Sequence, residues 1–182
     1  MGQGRIVIIT GAPGTGKSTT AVAVAKESSL PKSVYLHTDD FYHYLCKGAI
    51  PPYLAESNAQ NVIVIEAFLE AAKRFARGGY DVIVDGIIGP WFLEPWLRAV
   101  QDGYEVHYIV LRASREETMR RAVGRTKLDR ETNVKLVETM WEQFSRLDRY
   151  EGHVTDTTDY SIEETISAVK ESVMRKLQIL SL

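Results

Sequence analysis

Apolar residues fall along this chain in two alternating rhythms. Short β-branched runs without polar alternation, the mark of strands buried on both faces, are separated by stretches whose apolar positions lie three and four apart. Residues 5–10 hold the first run, Ile6-Val7-Ile8-Ile9. Residues 33–37 predict a second, weaker strand, and residues 81–85, Asp-Val-Ile-Val-Asp, a third. Residues 104–111 follow the turn signal Asp102-Gly103 and predict a fourth; a short fifth is expected near Val154. Between them, residues 17–29 are rich in Ala and Val and predict a helix packed closely on the sheet. Ile65, Phe68, Leu69, Ala72 and Ala76 recur at helical spacing and stop at Gly78-Gly79. Residues 61–65 alone also read as a strand, which leaves the start of that helix open. Val134, Val137, Met140, Trp141 and Phe144 form another helical face, and Ile162, Ile166, Val169, Val173 and Leu177 the face of a last helix. Ser114 with Glu117 and Ser161 with Glu164 match capping boxes. Strands alternating with helices predict βαβ units, a mostly parallel sheet and the α/β class.

The 182 residues fit one domain spanning 1–182. Apolar residues make up 45% and charged residues 25%, the balance of an ordinary globular protein. The net charge of −2 carries no basic footprint, so a nucleic-acid partner is not expected. Cys46 is the only cysteine and excludes an internal disulfide. Residues 82–93 are the longest apolar candidate for a membrane span. They are interrupted by Asp85, Gly86, Gly89 and Pro90 and fall short of the ~20 residues needed. Residues 6–9 are too short for the apolar part of a secretory leader, and a cytoplasmic protein is expected.

The chemistry is concentrated after the first strand. Gly11-Ala12-Pro13-Gly14-Thr15-Gly16-Lys17-Ser18, followed by Thr19, matches G-x-x-x-x-G-K-[ST] between a strand and a helix. A triphosphate needs several backbone N–H groups aimed at one centre. Glycines allow that curvature, and the helix beginning at Lys17 adds its positive end. Lys17 is expected on the β- and γ-phosphates of ATP, and the Ser18 hydroxyl on Mg²⁺. Asp85 ends the third strand at the same sheet edge and is the expected second Mg²⁺ anchor, or else a turn cap. Asp39-Asp40 follows the second strand. A carboxylate there suits a general base for an attacking hydroxyl, or a cap for the next helix. His37 reads as a strand residue.

Thr10 to Thr19, Thr38-Asp-Asp-Phe41 and Val82-Ile-Val-Asp-Gly86 together resemble a group of small P-loop kinases. It includes polynucleotide 5′-hydroxyl kinases, chloramphenicol phosphotransferase, zeta-toxin kinases and gluconate or shikimate kinases. The resemblance implies a P-loop NTPase three-layer sandwich with a five-stranded parallel sheet of order 2-3-1-4-5. It implies that Asp39 is the base and that a lid at about 115–131 carries Arg121 and Arg125, spaced four apart, onto the transferring phosphates. It places an adenine-binding loop at residues 155–159. Arg120, Lys127 and Arg130 are lesser lid candidates. The sequence departs from the polynucleotide kinases where Phe41, Tyr42 and His43 replace an expected Arg, which argues against a polynucleotide acceptor.

The acceptor is expected between the Asp39 loop, the loop after Asp85 and the lid. Residues 47–58, with Pro51-Pro52, are expected to form a mobile loop over it. Trp91, Phe92 and Trp96 offer either an aromatic pocket or helix packing, with packing favoured. The reading reached is an ATP- and Mg²⁺-dependent phosphotransferase acting on a small-molecule hydroxyl, as monomer or homodimer. An ATP-hydrolysing switch module and a nucleotide or nucleic-acid kinase are the alternatives.

Overall fold

The computed structural model describes residues 4–123 and 130–182. Five strands, β1 (Arg5–Thr10), β2 (Ser33–His37), β3 (Asp81–Asp85), β4 (Val106–Arg112) and β5 (Val154–Asp156), form one sheet. Its order is β2-β3-β1-β4-β5 and every pairing is parallel. Seven α-helices join them among the described residues: α1 (Lys17–Lys26), α2 (Thr38–His43), α3 (Asn58–Arg77), α4 (Glu94–Gln101), α5 (Arg115–Val123), α6 (Arg130–Ser145) and α7 (Ile162–Arg175).

β1 is the centre. Ile6 pairs with Val82 on one side and Val106 on the other, and Ile6 to Ile9 are fully buried. Successive side chains of a strand point to opposite faces, so the run serves two cores. Ile6 and Ile8 pack with Phe68, Trp96 and Phe144 from α3, α4 and α6. Val7 and Ile9 pack with Ala21 and Val24 of α1 and with Val169 and Val173 of α7. This accounts for the Ala-rich composition of α1: small side chains let it lie close to the sheet.

Several element bounds differ from expectation for identifiable reasons. α1 ends at Lys26 instead of reaching residue 29, because Ser28 leaves the helix: its hydroxyl accepts from the Leu30 N–H at 3.0 Å and donates to Asp81 at 2.5 Å. β4 begins two residues later than predicted, because the Tyr104 N–H closes α4 on the Ala99 carbonyl at 3.1 Å. Asn58–Arg77 is helical throughout, which settles the ambiguity at 61–65. The Ser161–Glu164 capping box is complete. At Ser114 only half of one forms, with the Glu117 N–H donating to its hydroxyl at 3.2 Å, because the Glu117 carboxylate turns to Arg120 and Arg121.

Leu177 lies beyond α7, which ends with Lys176 in the left-handed conformation at φ 55°. The chain then turns back along β4. The Tyr108 N–H donates to the Gln178 carbonyl at 2.9 Å and the Leu180 N–H to the Val106 carbonyl at 2.8 Å. β5 pairs only with Val110 to Arg112, so this tail covers the part of the β4 edge that β5 leaves open.

At the amino edge of the sheet Asp81 is buried. Nε and Nη2 of Arg5 donate to its two oxygens at 2.9 Å each. Asp81 is thus a structural ion at the edge opposite Asp85. Replacing Arg5 by Met strands that carboxylate, and we expect a loss of about 3 kcal/mol of stability, read from the shift in the urea unfolding midpoint.

Candidate functional site at the carboxyl edge of the sheet

β1 leads directly into the glycine loop. Gly11, Gly14 and Gly16 have φ of 141°, 92° and 85°, conformations that disfavour any other residue. Space is as restrictive as torsion at the first two. A Cβ on Gly11 would lie 2.2 Å from the Leu111 carbonyl oxygen, and one on Gly14 would lie 2.8 Å from that of Thr118. Thr15 fastens the turn by donating its hydroxyl to the Ala12 carbonyl at 2.9 Å. Gly16 is the N-cap of α1 and no side chain caps that helix, the setting in which a helix N-terminus receives an anion. Lys17 is buried, 8% exposed, and its charge helps hold down the pKa of both Asp39 and Asp85.

The loop after β3 is braced to its neighbours. The Ile88 N–H donates to the Thr10 hydroxyl at 2.9 Å, and the Tyr108 hydroxyl donates to the Ile88 carbonyl at 2.9 Å. Gly86 lies so close to α2 that a Cβ there would meet Thr38 Oγ1 at 2.0 Å. This approach brings Asp39, at the start of α2, towards Asp85, at the end of β3.

His37 joins the two carboxylates. Its Nε2 is 3.4 Å from Asp39 Oδ2 and its Nδ1 is 3.0 Å from Asp85 Oδ2. The second contact has ion-pair distance without hydrogen-bond alignment. The close contacts with Asp39 and then with Asp85 push the His37 pKa up to about 10 against the opposing effect of burial. His37 is therefore an imidazolium at neutral pH. In return it lowers the pKa of Asp39. Burial works to raise the pKa of Asp85, but His37, Ser18 and Lys17 outweigh it and hold the carboxyl ionised. Tyr35 donates its hydroxyl to Asp85 Oδ2 at 3.0 Å. Asp85 Oδ1 is buried and has no directional hydrogen-bond partner. An orphaned anionic oxygen beside the Ser18 hydroxyl is a donor pair suited to a hard cation such as Mg²⁺, which takes few protein ligands and completes its shell with phosphate and water.

Two cavities flank the glycine loop. The larger, about 560 Å³, is bounded by Pro13 of that loop, by Thr38, Asp39 and Tyr42, and by Trp91 and Phe92. The smaller, about 440 Å³, is bounded by Gly14, Thr15 and Gly16, by Arg121, and by Thr158 and Tyr160. Within the segment 47–58, residues 49–53 line the larger one. Side chains staple that segment to α3: Gln60 bonds the Ile50 N–H at 2.8 Å and its carbonyl at 2.7 Å, and Asn61 donates to the Pro52 carbonyl at 2.9 Å.

The expected aromatics divide. Trp96 is fully buried and packs edge-on against Phe68, as packing required, whereas Trp91 and Phe92 form cavity wall. Phe41 packs on Phe68, and Tyr44 is exposed. Arg121 donates from Nε to Glu117 at 2.5 Å and from Nη2 to the Thr157 carbonyl at 3.0 Å. That places it at the smaller cavity. Arg120 pairs with Glu117 on the surface. Arg125 and Lys127 lie outside the described residues, as does the Arg130 side chain.

A family profile for an AAA domain matches residues 7–155, from the start of β1 to β5. The chain belongs to this AAA domain family. Its P-loop fold is shared with solved structures along nearly the whole length. An APS kinase of Mycobacterium tuberculosis, solved with AMPPNP and APS, superposes with a TM-score of 0.72 at 20% identity, covering 96% of this chain and 99% of that one. A tunicamycin resistance protein of Deinococcus radiodurans gives 0.62 at 18% identity, with 98% and 99% covered. A gluconokinase of Sinorhizobium meliloti gives 0.61 at 18% identity, with 96% and 94% covered. At such identities the likeness establishes the fold alone. No curated protein matches the sequence.

Within this AAA domain the residue that sequence reading passed over is His37. Its signal was position: a histidine ending a strand one residue before a Thr-Asp-Asp turn. Two outcomes test the site's geometry. Gly11→Ala is expected to weaken ATP binding about 10–100-fold, measured by fluorescence titration with a labelled nucleotide, because torsional strain of this kind is worth about 1–3 kcal/mol. His37→Ala leaves two carboxylates facing each other and is expected to lower stability by about 1–3 kcal/mol in chemical denaturation.

Proposed function

We propose that this chain is a Mg²⁺- and ATP-dependent phosphotransferase that moves the γ-phosphoryl group to a hydroxyl of a small molecule. The observation that carries the reading is the pair of cavities with the glycine loop as their common wall: Pro13 borders one, and Gly14 to Gly16 border the other. A nucleotide laid along that loop with its base in the smaller cavity directs its terminal phosphate towards the larger, where Asp39 waits. No helix among the described residues is long and apolar enough to cross a membrane.

Lys17 and the amides of the loop and of α1 grip the β- and γ-phosphates. Ser18 and Asp85 hold Mg²⁺, which neutralises phosphate charge when bound. Asp39, kept ionised by His37, accepts a hydrogen bond from the acceptor hydroxyl and orients its oxygen in line with the γ-phosphorus. As the new P–O bond forms and the bond to the β-phosphate oxygen breaks, the hydroxyl proton passes to Asp39 and ADP leaves. Arg121 organises the base side, because it holds the 157–160 loop that walls the smaller cavity. Arg125, in the proposed lid at 115–131, is the candidate to meet charge on the transferring group.

Asp39→Ala is expected to lower acceptor-dependent ADP formation about 10²–10⁴-fold while leaving ATP affinity within a few-fold. Paired coupled-enzyme and binding assays measure this. An unchanged ATPase rate in Asp39→Ala, together with no acceptor stimulation of the parent protein, identifies a switch module instead.

A further inference from the structure

The larger cavity also has a chemical character of its own. Its volume of about 560 Å³ falls in the ~300–1,000 Å³ range of sites for drug-sized ligands. Among the described residues that line it, none is Lys or Arg. Among those described residues the one carboxylate is Asp39, ionised and 63% exposed, which repels an anion close by. Two of the three amide side chains on its wall are engaged with the chain, while Gln143 and the His43 ring add polar lining. Gln60 holds both backbone groups of Ile50, and Asn61 holds the Pro52 carbonyl and the Ser57 hydroxyl. Most of the remaining lining is apolar and aromatic, including Ile65, Ile87, Trp91, Phe92 and Met140, with hydroxyl groups on Thr38, Tyr42 and Tyr53.

Among the described residues of this wall, a phosphate, sulfate or carboxylate on the acceptor would find no guanidinium or ammonium partner to offset its lost hydration. Leaving such a charge unpaired is far more costly than burying a ring. We infer that the acceptor is an uncharged amphipathic alcohol: an aromatic or alicyclic body that packs on Trp91, Phe92 and Met140, with a hydroxyl presented to Asp39 and no anionic group. The term acceptor rests on the phosphotransferase reading, whereas the preference for an uncharged ring-bearing ligand rests only on the cavity wall.

The two are separated by a matched pair of probes, 4-nitrophenyl β-glucoside and 4-nitrophenyl β-glucuronide, which share a ring and secondary hydroxyls and differ in a carboxylate. Binding is read from quenching of tryptophan fluorescence and transfer from labelled ATP. The glucoside is expected to bind at least about tenfold more tightly than the glucuronide, the equivalent of ~1.4 kcal/mol. Met140→Lys is expected to erase or invert the preference, and Tyr53→Lys, at an exposed rim position, to do so without risk to folding. ATP affinity in each variant reports that the fold is intact. Equal or tighter binding of the glucuronide overturns the inference, as does failure of both probes to bind at millimolar concentration. Selective glucoside binding without transfer to any acceptor upholds the cavity's preference and overturns the phosphotransferase reading. Transfer confined to anionic acceptors does the reverse.

Discussion

A parallel sheet delivers the ends of all its strands to one edge, and here that constraint is enforced by β1. The strand is hydrogen-bonded on both sides and covered on both faces, so it can neither slide nor tilt without breaking two ladders and two cores. The loop that leaves it inherits that immobility. Gly11 emerges against the end of β4 with no room for a side chain, and Thr10 reaches across to fix the loop that follows β3. Preorganisation of a phosphate cradle thus begins in the core.

Charge at that edge is balanced before any ligand arrives. Asp39 and Asp85 belong to different strand ends, and Gly86 lets them converge. Without a cation between them they would repel each other, and one would favour protonation. His37 supplies the positive charge from one side and Lys17 from the other, so both carboxylates remain anionic. A site built in this way holds two carboxylates close together with both kept ionised.

The strands were legible because their residues are buried on both faces, which writes an unbroken apolar run into the chain. Residues 5–10 and 81–85 were bounded correctly for that reason, whereas 33–37, half-buried at the sheet edge, was bounded correctly from a weaker signal. The glycine motif was legible because its torsions and close approaches admit so few alternatives. What could not be read depends on contacts between distant segments. The pairing of His37 with Asp85 exists only because β2 lies beside β3. The early end of α1 requires Asp81 to draw Ser28 away. The separation of Trp96 from Trp91 and Phe92 turns on which face of a short segment meets the core. Arg121 illustrates the same limit: the resemblance nominated it for the phosphates, and its bonds to the carbonyls of residues 157, 158 and 160 depend on a loop far away in the sequence.

The returning tail closes an account that β5 leaves incomplete. A strand of three residues cannot shield a neighbour of seven, and the main chain around Gln178 to Leu180 finishes the task from the opposite direction. This antiparallel clasp sits far from the glycine loop but on a strand whose other end adjoins it. Shortening the protein before Gln178 would bare amide and carbonyl groups along half of β4, inviting a second copy to add its own strand. The edge of β4 is therefore closed by residues 178–180 as well as by β5.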